Sequence, residues 1–367
     1  NRFVFAGTAR MDSGRFHFRV ADWAMTRILA CLSLLALPLL LAVSPARAAE
    51  AFPADPDITV LETVVVSGVQ PGPGLWKVSR DGRVMWVLGT VAPLPRRMEW
   101  TADEVERRIA DSGLVLLAPN VSVSTRGGLV GGMFLLPSAL RARNNPDGQR
   151  LQDVLPAADY ARWQRLKAHY LGRDRGVEKR RPIAAALALR EEAFERNDLS
   201  WRDAVGRQVE RAAKRSRVPL RQPTVAVRVD KARAALKEFG RSPLDDLECF
   251  RLTLDQVERD LETLATRANA WALGEVAMLR DLPYTDNSQA CTEALLETQL
   301  AQSRGLSDLP ARVQTTWLAA AREALAEHPQ SFAVLPISRI VGERSYLDVL
   351  AREGFTVEAP APPDQNR

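Results

Sequence analysis

The stretch that decides the fold is VMWVLGTVAPLP, residues 84–95. Its apolar first half predicts a buried β-strand that ends at Gly89, and its second half is a proline-rich turn. Many α/β proteins bind ligands where such strands end. Here the turn carries Ala92, Pro93 and Leu94, whose side chains can neither bind a metal ion nor transfer a proton. The turn itself therefore indicates no chemistry, and the role of this strand tip has to be inferred from the rest of the sequence.

A β-hairpin is predicted just before this tip. The apolar runs Leu75–Ser79 and Val84–Val91 are separated by a short polar segment that contains Asp81-Gly82. An Asp-Gly pair between two apolar runs is a strong signal for a tight hairpin turn, because both residues accept a positive φ. The opening of the sheet is therefore predicted to be two antiparallel strands.

A capped helix and a buried strand are predicted next. Thr101 and Glu104 have the spacing of a capping box, and Trp100 and Val105 have the spacing of a hydrophobic staple. The apolar run Leu114–Leu117 then predicts a buried strand. A hairpin followed by a helix and a strand indicates an α/β sheet.

The middle of the chain is mainly helical in its pattern. Pro156–Arg217 predicts helices, Pro223–Val229 predicts a strand, and Ser242-Pro243 predicts the start of a long helix. The glycine-rich residues 127–132 lack the spacing of a nucleotide-binding loop and are interpreted as a mobile loop or tight turn. One apolar stripe follows the long helix: Leu247, Phe250, Leu254, Val257, Leu261 and Leu264.

Two further strands are predicted near the end of the chain, Ser331–Ile337 and Phe355–Glu358, with a helix near residues 345–353 between them. Strands near both ends and helices between them predict a mixed α/β fold. We expect a central β-sheet built from the N- and C-terminal segments, with a large helical middle region packed on it.

Residues 25–48 have the features of a secretory signal peptide. Arg27 supplies a positive start, Ile28–Val43 is apolar, and Ala46-Arg47-Ala48 fits an A-x-A site, so we expect cleavage between Ala48 and Ala49. The apolar run of 16 residues is shorter than the roughly 20 that a membrane span needs. We expect a periplasmic or secreted protein without an integral membrane span after cleavage, and residues 1–24 as an upstream extension with no role in the fold.

The balance of basic and acidic side chains indicates which classes of partner the protein could attract electrostatically. The chain has 50 Lys and Arg against 45 Asp and Glu, but residues 1–48 contain six Arg and two Asp. The remainder therefore carries 44 basic and 43 acidic side chains, a net charge of +1. This balance gives no electrostatic basis for binding nucleic acid or an anionic membrane surface.

Two cysteines, Cys249 and Cys291, remain after the expected cleavage. In an oxidising compartment an even pair predicts one disulfide, and closing so long a loop would add about 3–4 kcal/mol to stability. Two buried free thiols are the alternative interpretation.

Residues with catalytic chemistry are scarce. His169 and His328 are the two histidines after the expected cleavage site, and both lie in helical patterns where a structural role is the simpler interpretation. The sequence has no H-E-x-x-H motif and no G-x-S-x-G motif. We therefore predict neither a metal site nor another cofactor.

The chain nevertheless resembles the TraB/GumN family, which includes the Tiki-type proteases. Residues 75–78 (LWKV), 87–95 (VLGTVAPLP) and 114–116 (LVL) are similar to the family pattern L-W-x-[VI], L-G-T-[IV]-H-x-L-P and L-V-x-E. The middle and the end agree as well. The matching segments there are residues 181–183 (RPI), 270–275 (AWALGE), 332–342 (FAVLPISRIVG) and 354–357 (GFTV).

The resemblance implies a TraB/GumN-like domain over residues 74–358. We interpret residues 49–73 as a flexible lead-in, because they contain proline, glycine and acidic residues, and residues 359–367 as a disordered tail.

The resemblance also implies where the catalytic residues would be. In the family, two histidines and a strand-end glutamate are thought to hold a divalent metal for hydrolysis. These positions fall on Ala92, Leu117 and Arg339 in this sequence. Alanine and leucine have no lone pair, and arginine would repel a dication. The resemblance therefore implies a scaffold whose three catalytic positions are lost.

Three functions remain open from the sequence. The first is a catalytically inactive family member that binds an unknown protein or peptide ligand, or has a structural role, in the cell envelope. The second is a metal-independent or displaced-site hydrolase or peptidase, in which Arg339 binds an anionic group and Glu99, Asp103 or Glu343 acts as acid or base. The third is an interaction partner in envelope biogenesis that binds through the helical middle.

The cysteine pair gives a first prediction. Protein that begins at Ala49, denatured without a reducing agent, should show no thiol that reacts with a colorimetric reagent, and two after reduction, because Cys249 and Cys291 are joined. The double variant C249S/C291S should show none in either sample. Two reactive thiols in the unreduced wild-type protein would contradict the pairing.

Overall fold

A computed structural model describes residues 72–125, 128–282, 287–342 and 345–361 of the chain. The expected upstream extension and signal peptide lie outside these residues, as do residues 49–71 of the lead-in and 362–367 of the tail. Within the described part of the chain, no helix combines the length and the apolar composition that crossing a membrane requires.

Strands from both ends of the chain meet in one central sheet. The strands are β1 (Leu75–Arg80), β2 (Arg83–Thr90), β3 (Leu94–Pro95), β4 (Val115–Leu116), β5 (Asn120–Thr125), β6 (Leu199–Ser200), β7 (Leu220–Arg221), β8 (Thr224–Val229), β9 (Gln330–Pro336) and β10 (Thr356–Glu358). Six of them form a sheet in the order β10-β1-β2-β9-β4-β7, and β3 with β6 and β5 with β8 form two smaller sheets.

Helices fill the middle of the chain and flank its ends. They are α1 (Asp103–Ala110), α2 (Gly128–Ala142), α3 (Leu151–Val154), α4 (Ala157–Tyr170), α5 (Pro182–Arg196), α6 (Ala204–Arg215), α7 (Ala232–Phe239), α8 (Leu247–Glu258), α9 (Leu261–Ala272), α10 (Val276–Asp281), α11 (Ser288–Leu296), α12 (Gln299–Ser303), α13 (Leu309–Glu327) and α14 (Tyr346–Arg352). The mixed α/β fold expected from the sequence is confirmed, with most helices between β4 and β9.

The hairpin that opens the sheet is confirmed. β1 and β2 are antiparallel, and Asp81 and Gly82 at their turn both have positive φ, 52° and 76°. On its other side β2 pairs in parallel with β9, up to Thr90 opposite Pro336, and β9 pairs in parallel with β4. The centre of the sheet therefore joins segments that are more than two hundred residues apart, as the strand pattern predicted.

A second apolar core lies among α3, α4, α5, α8 and α9 and is centred on Trp163, Phe194 and Phe250. The sulfur atoms of Cys249 on α8 and Cys291 on α11 are 2.01 Å apart, which is disulfide-bonding distance. The helical middle is thus a packed unit with its own core, beside the core that covers the sheet.

The single long helix expected from Ser242-Pro243 is wrong. Both the amide and the hydroxyl of Ser242 donate to the carbonyl of Glu238, so Ser242 closes α7 instead of starting the next helix. The apolar stripe is divided between two helices, α8 and α9, and all six members still reach the second core. Leu247 packs against it partly buried, and the other five are buried in it: Phe250, Leu254, Val257, Leu261 and Leu264.

Two local expectations near the sheet are also wrong. Thr101 does not cap α1, whose N-cap is Ala102 without a side-chain hydrogen bond, and Glu104 pairs with Arg107 and Arg108 instead. The glycine-rich segment is not a loop throughout, because α2 begins at Gly128 and contains its remaining glycines. Packing of α2 against α7 and β5 outweighs the low helix propensity of those glycines.

A buried carboxylate ties α5 to the connection between α7 and α8. Asp246 accepts a hydrogen bond of 2.7 Å from the amide of Ile183, in the first turn of α5. Arg181, just before that helix, donates to the carbonyls of Phe239 at 2.8 Å and Ser242 at 2.9 Å. Burial raises the pKa of Asp246 to about 6, although the Ile183 amide and Arg181 favour the charged form.

This carboxyl predicts a pH dependence of stability. Because the folded-state pKa of Asp246 is about 6 and its ordinary value is 3.8, the folded state holds the proton more tightly. Its contribution to stability is fully present at low pH and is lost, by up to about 3 kcal/mol, as the pH rises from about 4 to about 6.

Asp246→Asn keeps an acceptor for the Ile183 amide but does not titrate. Urea unfolding of wild type and variant should show the variant gaining stability relative to wild type between pH 4 and pH 7. Asp245→Asn, at the exposed neighbouring residue, controls for the change in net charge. It should show a much smaller gain, because the Asp245 charge is the smallest of the causes that raise the pKa of Asp246. Parallel pH profiles for wild type and Asp246→Asn would contradict the prediction.

Candidate functional site

Three neighbouring parallel strands end at the same edge of the central sheet. Ala92 follows the end of β2 by two residues, and Leu117 directly follows β4. Arg339 ends a short 3₁₀ turn, Ile337–Arg339, that leaves β9. Because β2, β9 and β4 are parallel, their carboxyl ends share this edge, which is where α/β sheets bind ligands. We call it the strand-end edge and define it by these three residues.

The side chains at the strand-end edge do not fit a divalent metal. Ala92 is exposed, and Leu117 is half-buried and packs on the apolar core of the sheet. Arg339 is exposed, and its guanidinium lies 5.9 Å from the centre of the Tyr346 ring. A methyl, an isobutyl and a cationic group offer no electron pair to a cation. In the described residues, no three His, Cys, Asp or Glu side chains are grouped so that they could hold a metal ion.

The other titratable residues named from the sequence fall into two groups, carboxylates that follow β2 and histidines on distant helices. Glu99 and Asp103 are exposed, in and just after the connection from β3 to α1, while Glu343 lies outside the described residues. His328 caps the end of α13 before β9 begins, so it lies at the opposite end of that strand. His169 is on α4 with its ring against Tyr170. Among the described residues, the topology brings Ala92, Leu117 and Arg339 to the strand-end edge. It also places Glu99 and Asp103 on that side of the sheet, because α1 connects the end of β2 to the start of the parallel strand β4.

The strand tip is anchored by a tryptophan from the helical middle. The indole nitrogen of Trp271, on α9, donates a buried hydrogen bond of 2.6 Å to the carbonyl oxygen of Gly89. The edge of the Trp100 ring meets Trp271 with ring centres 5.4 Å apart. A buried carbonyl without a partner would be costly, so this bond stabilises the end of β2.

Gly89 is a glycine because its surroundings leave no room for a side chain. A Cβ atom there would lie 2.8 Å from Ile337, 3.0 Å from Trp76 and 3.2 Å from Ile340. The two isoleucines come from the turn after β9, so the glycine lets that turn pack closely on the end of β2. This glycine of the L-G-T motif is explained by packing and needs no role in catalysis.

The segment 270–275 also holds the entry to β1. Gly274 has a φ of +73°, and a Cβ atom there would be 3.3 Å from the carbonyl oxygen of Gly72 and from the amide nitrogen of Gly74. The amide of Gly72 donates to the carbonyl of Ala272 at 2.9 Å. The tryptophan and the glycine of this segment thus fix two different points of the hairpin. These residues could be recognised in the sequence as part of a motif, but their contacts could not be predicted from it.

A two-stranded ribbon, missed in part by the sequence analysis, continues beyond the strand-end edge. β5 follows β4 after Pro119, β8 follows β7 after Pro223, and the two are parallel. Alternation in residues 120–125 (NVSVST) was the available signal for β5. A recess of about 430 Å³ lies beside the ribbon, where β8 faces α13. Its lining residues are Val225, Ala226, Ala311, Arg312, Thr315 and Thr316.

The Trp271 anchor gives a prediction with a matched control. Trp271→Phe should lower the free energy of unfolding by about 1–3 kcal/mol more than Trp317→Phe, because it removes the buried hydrogen bond to the Gly89 carbonyl. Trp317 is equally buried, but its indole nitrogen has no hydrogen-bond partner, so its variant reports the loss of ring volume alone. Chemical denaturation of both variants measures the difference. Equal losses would show that the hydrogen bond contributes nothing.

Comparison with known proteins gives one finding. Neither the curated proteins nor the solved structures contain a match to the chain. The model of the TraB/PrgY/gumN family matches residues 74–359. That range runs from just before β1 to just after β10, so it includes the whole central sheet, the strand-end edge and the Trp271 anchor. The chain therefore belongs to the TraB/PrgY/gumN family.

Proposed function

We propose that this chain is an exported family member that has lost metal-dependent hydrolysis and has a binding or structural role in the cell envelope. The observation that carries the proposal is the chemistry of the strand-end edge. Three parallel strands converge there, and the positions that the family resemblance assigns to metal ligands hold Ala92, Leu117 and Arg339. Hydrolysis by a metal needs ligands and an activated water, and these side chains provide neither.

The retained parts of the family pattern support the proposal. Gly89, Trp271 and Gly274 all make close contacts that hold the hairpin and the strand tip in place. These residues would be needed for folding whether or not the edge performs catalysis. A binding or structural role requires the packing residues but not the metal ligands. Such a role is therefore compatible with the residues that this chain has.

The proposed ligand is a protein or peptide. The recess beside β8 could offer such a ligand apolar contacts from Val225 and Ala311 and polar contacts from Arg312 and Thr315. Export is proposed from residues 25–48 of the sequence alone.

A second candidate function is a displaced-site hydrolase or peptidase, and the exposure of Arg339 at the strand-end edge favours it. In this reading the guanidinium would bind an anionic group of a substrate, and Glu99 or Asp103 would act as acid or base. Neither residue needs a metal for that role.

The loss of hydrolysis is tested with protein that begins at Ala49. We expect that, after dialysis with Mn²⁺, Co²⁺ or Zn²⁺, elemental analysis finds well below one equivalent of metal, and that a mixed peptide library is not cleaved. The variant A92H/L117E/R339H restores the family's ligand types at one edge and should retain close to one equivalent of Zn²⁺.

The outcomes separate the two candidate functions. Stoichiometric metal with peptide cleavage in the wild-type protein would overturn the proposal. Cleavage without metal that is lost in Arg339→Ala would support the displaced-site hydrolase instead. Equal metal content in the wild-type protein and the restored variant would contradict the assignment of the three positions.

A further inference from the structure

The helix α2 carries an apolar surface that the protein does not cover. Phe134 is 67% exposed, more than Val123 at 44%, Met278 at 42% or Val154 at 37%, the other large apolar side chains exposed in the described residues. Its neighbours Leu135, Leu136 and Leu140 are only partly buried. At about 100° per residue, Leu135 flanks Phe134 on the helix surface, whereas Leu136 and Leu140 lie on the other side of α2. An exposed aromatic ring is typical of an interaction site when basic side chains surround it.

Basic side chains surround this apolar surface. Arg141 and Arg143 lie at and beyond the end of α2, and α7, which packs against α2, carries Arg233 and Lys237. All four are exposed, as is Lys231 just before α7. The guanidinium of Arg233 donates to the carbonyl oxygen of Phe134 at 3.3 Å, which places a cation beside the exposed ring's own backbone.

Few carboxylates oppose these cations. The sequence from residue 112 to residue 146 contains no Asp or Glu, and the facing segment contributes Asp230 and Glu238. Glu238 also lies 4.0 Å from Arg304, a cation that belongs to neither α2 nor α7, so it does not neutralise these helices alone. The overall net charge near zero, from which we expected no attraction to an anionic membrane, therefore conceals a local excess of positive charge on α2 and α7.

The two helices are neighbours because of the ribbon. β5 leads into α2 and β8 leads into α7, and since β5 and β8 are parallel, both helices start from the same end of it. The combined surface of α2 and α7 is therefore a defined part of the fold. We call it the α2–α7 surface and define it by Phe134, Leu135, Arg141, Arg143, Lys231, Arg233 and Lys237.

We propose that the α2–α7 surface docks on an anionic lipid bilayer. Phe134 and the adjacent Leu135 enter the boundary between headgroups and acyl chains, and the surrounding Arg and Lys side chains contact lipid phosphates. The charge favours this partner over a second copy of the chain, because a two-fold contact through this surface would bring its cations together. The helix lies along the membrane plane and does not cross it. The proposal stands whether or not the strand-end edge is catalytic.

Vesicle sedimentation tests the proposal with protein that begins at Ala49. Vesicles of phosphatidylcholine alone are compared with vesicles that contain one third phosphatidylglycerol, at low and at high salt. We expect binding to the anionic vesicles only, weakened at high salt. Phe134→Ser should weaken it about tenfold, from the burial of an aromatic ring. The charge reversal R233E/K237E should weaken it at least as much, since each basic residue contributes roughly fivefold.

Met278→Ser, which removes an exposed apolar side chain from α10, is the matched control and should bind like the wild-type protein. Circular dichroism shows that each variant is folded. The proposal is overturned by equal binding to both kinds of vesicle, by equal losses in Phe134→Ser and Met278→Ser, or by no binding at low salt. It is also overturned if size-exclusion chromatography shows a dimer that Phe134→Ser dissociates, or if polyglutamate binds and vesicles do not.

Discussion

The hydrogen bond from the indole of Trp271 to the carbonyl of Gly89 joins the hairpin to the helical middle, across 182 residues of sequence. The packing around it depends on the same glycine, since Ile337 and Ile340 can approach β2 only where no side chain intervenes. One residue of β2 thus receives contacts from α9 and from the turn after β9. The end of the strand is held by these contacts, and none of them involves the residues that would carry out hydrolysis.

This separation would allow the scaffold to persist after the loss of metal ligands that we propose. A ligand residue at the end of a strand contributes to the bound metal, while the glycine and the tryptophan beneath it contribute to folding. With Ala92, Leu117 and Arg339 at the strand-end edge, Leu117 packs against the apolar core of the sheet. Of these three residues only Arg339 is charged, and its guanidinium attracts anions and repels cations.

The sheet could be predicted from the sequence because its signals are local or strongly apolar. Asp81-Gly82 defines the turn of the hairpin. The runs that form β2 and β9 are strongly apolar, and such runs favour a buried strand. The errors have tertiary causes. The glycines of α2 form a helix that packs against α7. Ser242 binds the carbonyl of Glu238 at the end of α7, whereas we expected it at the start of the next helix. The contact between Trp271 and Gly89 could not be derived from spacing, because no local pattern encodes a bond between residues so far apart.

Thermal unfolding with and without metal tests whether packing alone, without a bound metal ion, holds the strand-end edge together. Calorimetry of protein that begins at Ala49 would compare excess Zn²⁺, Mn²⁺ or Co²⁺ with a chelator. We expect the same Tm in every case, because a metal ion that binds neither the folded nor the unfolded state does not shift the unfolding equilibrium. A metal-dependent rise of several degrees would contradict it, since a ligand at 100 times its Kd adds about 2.7 kcal/mol to the free energy of unfolding.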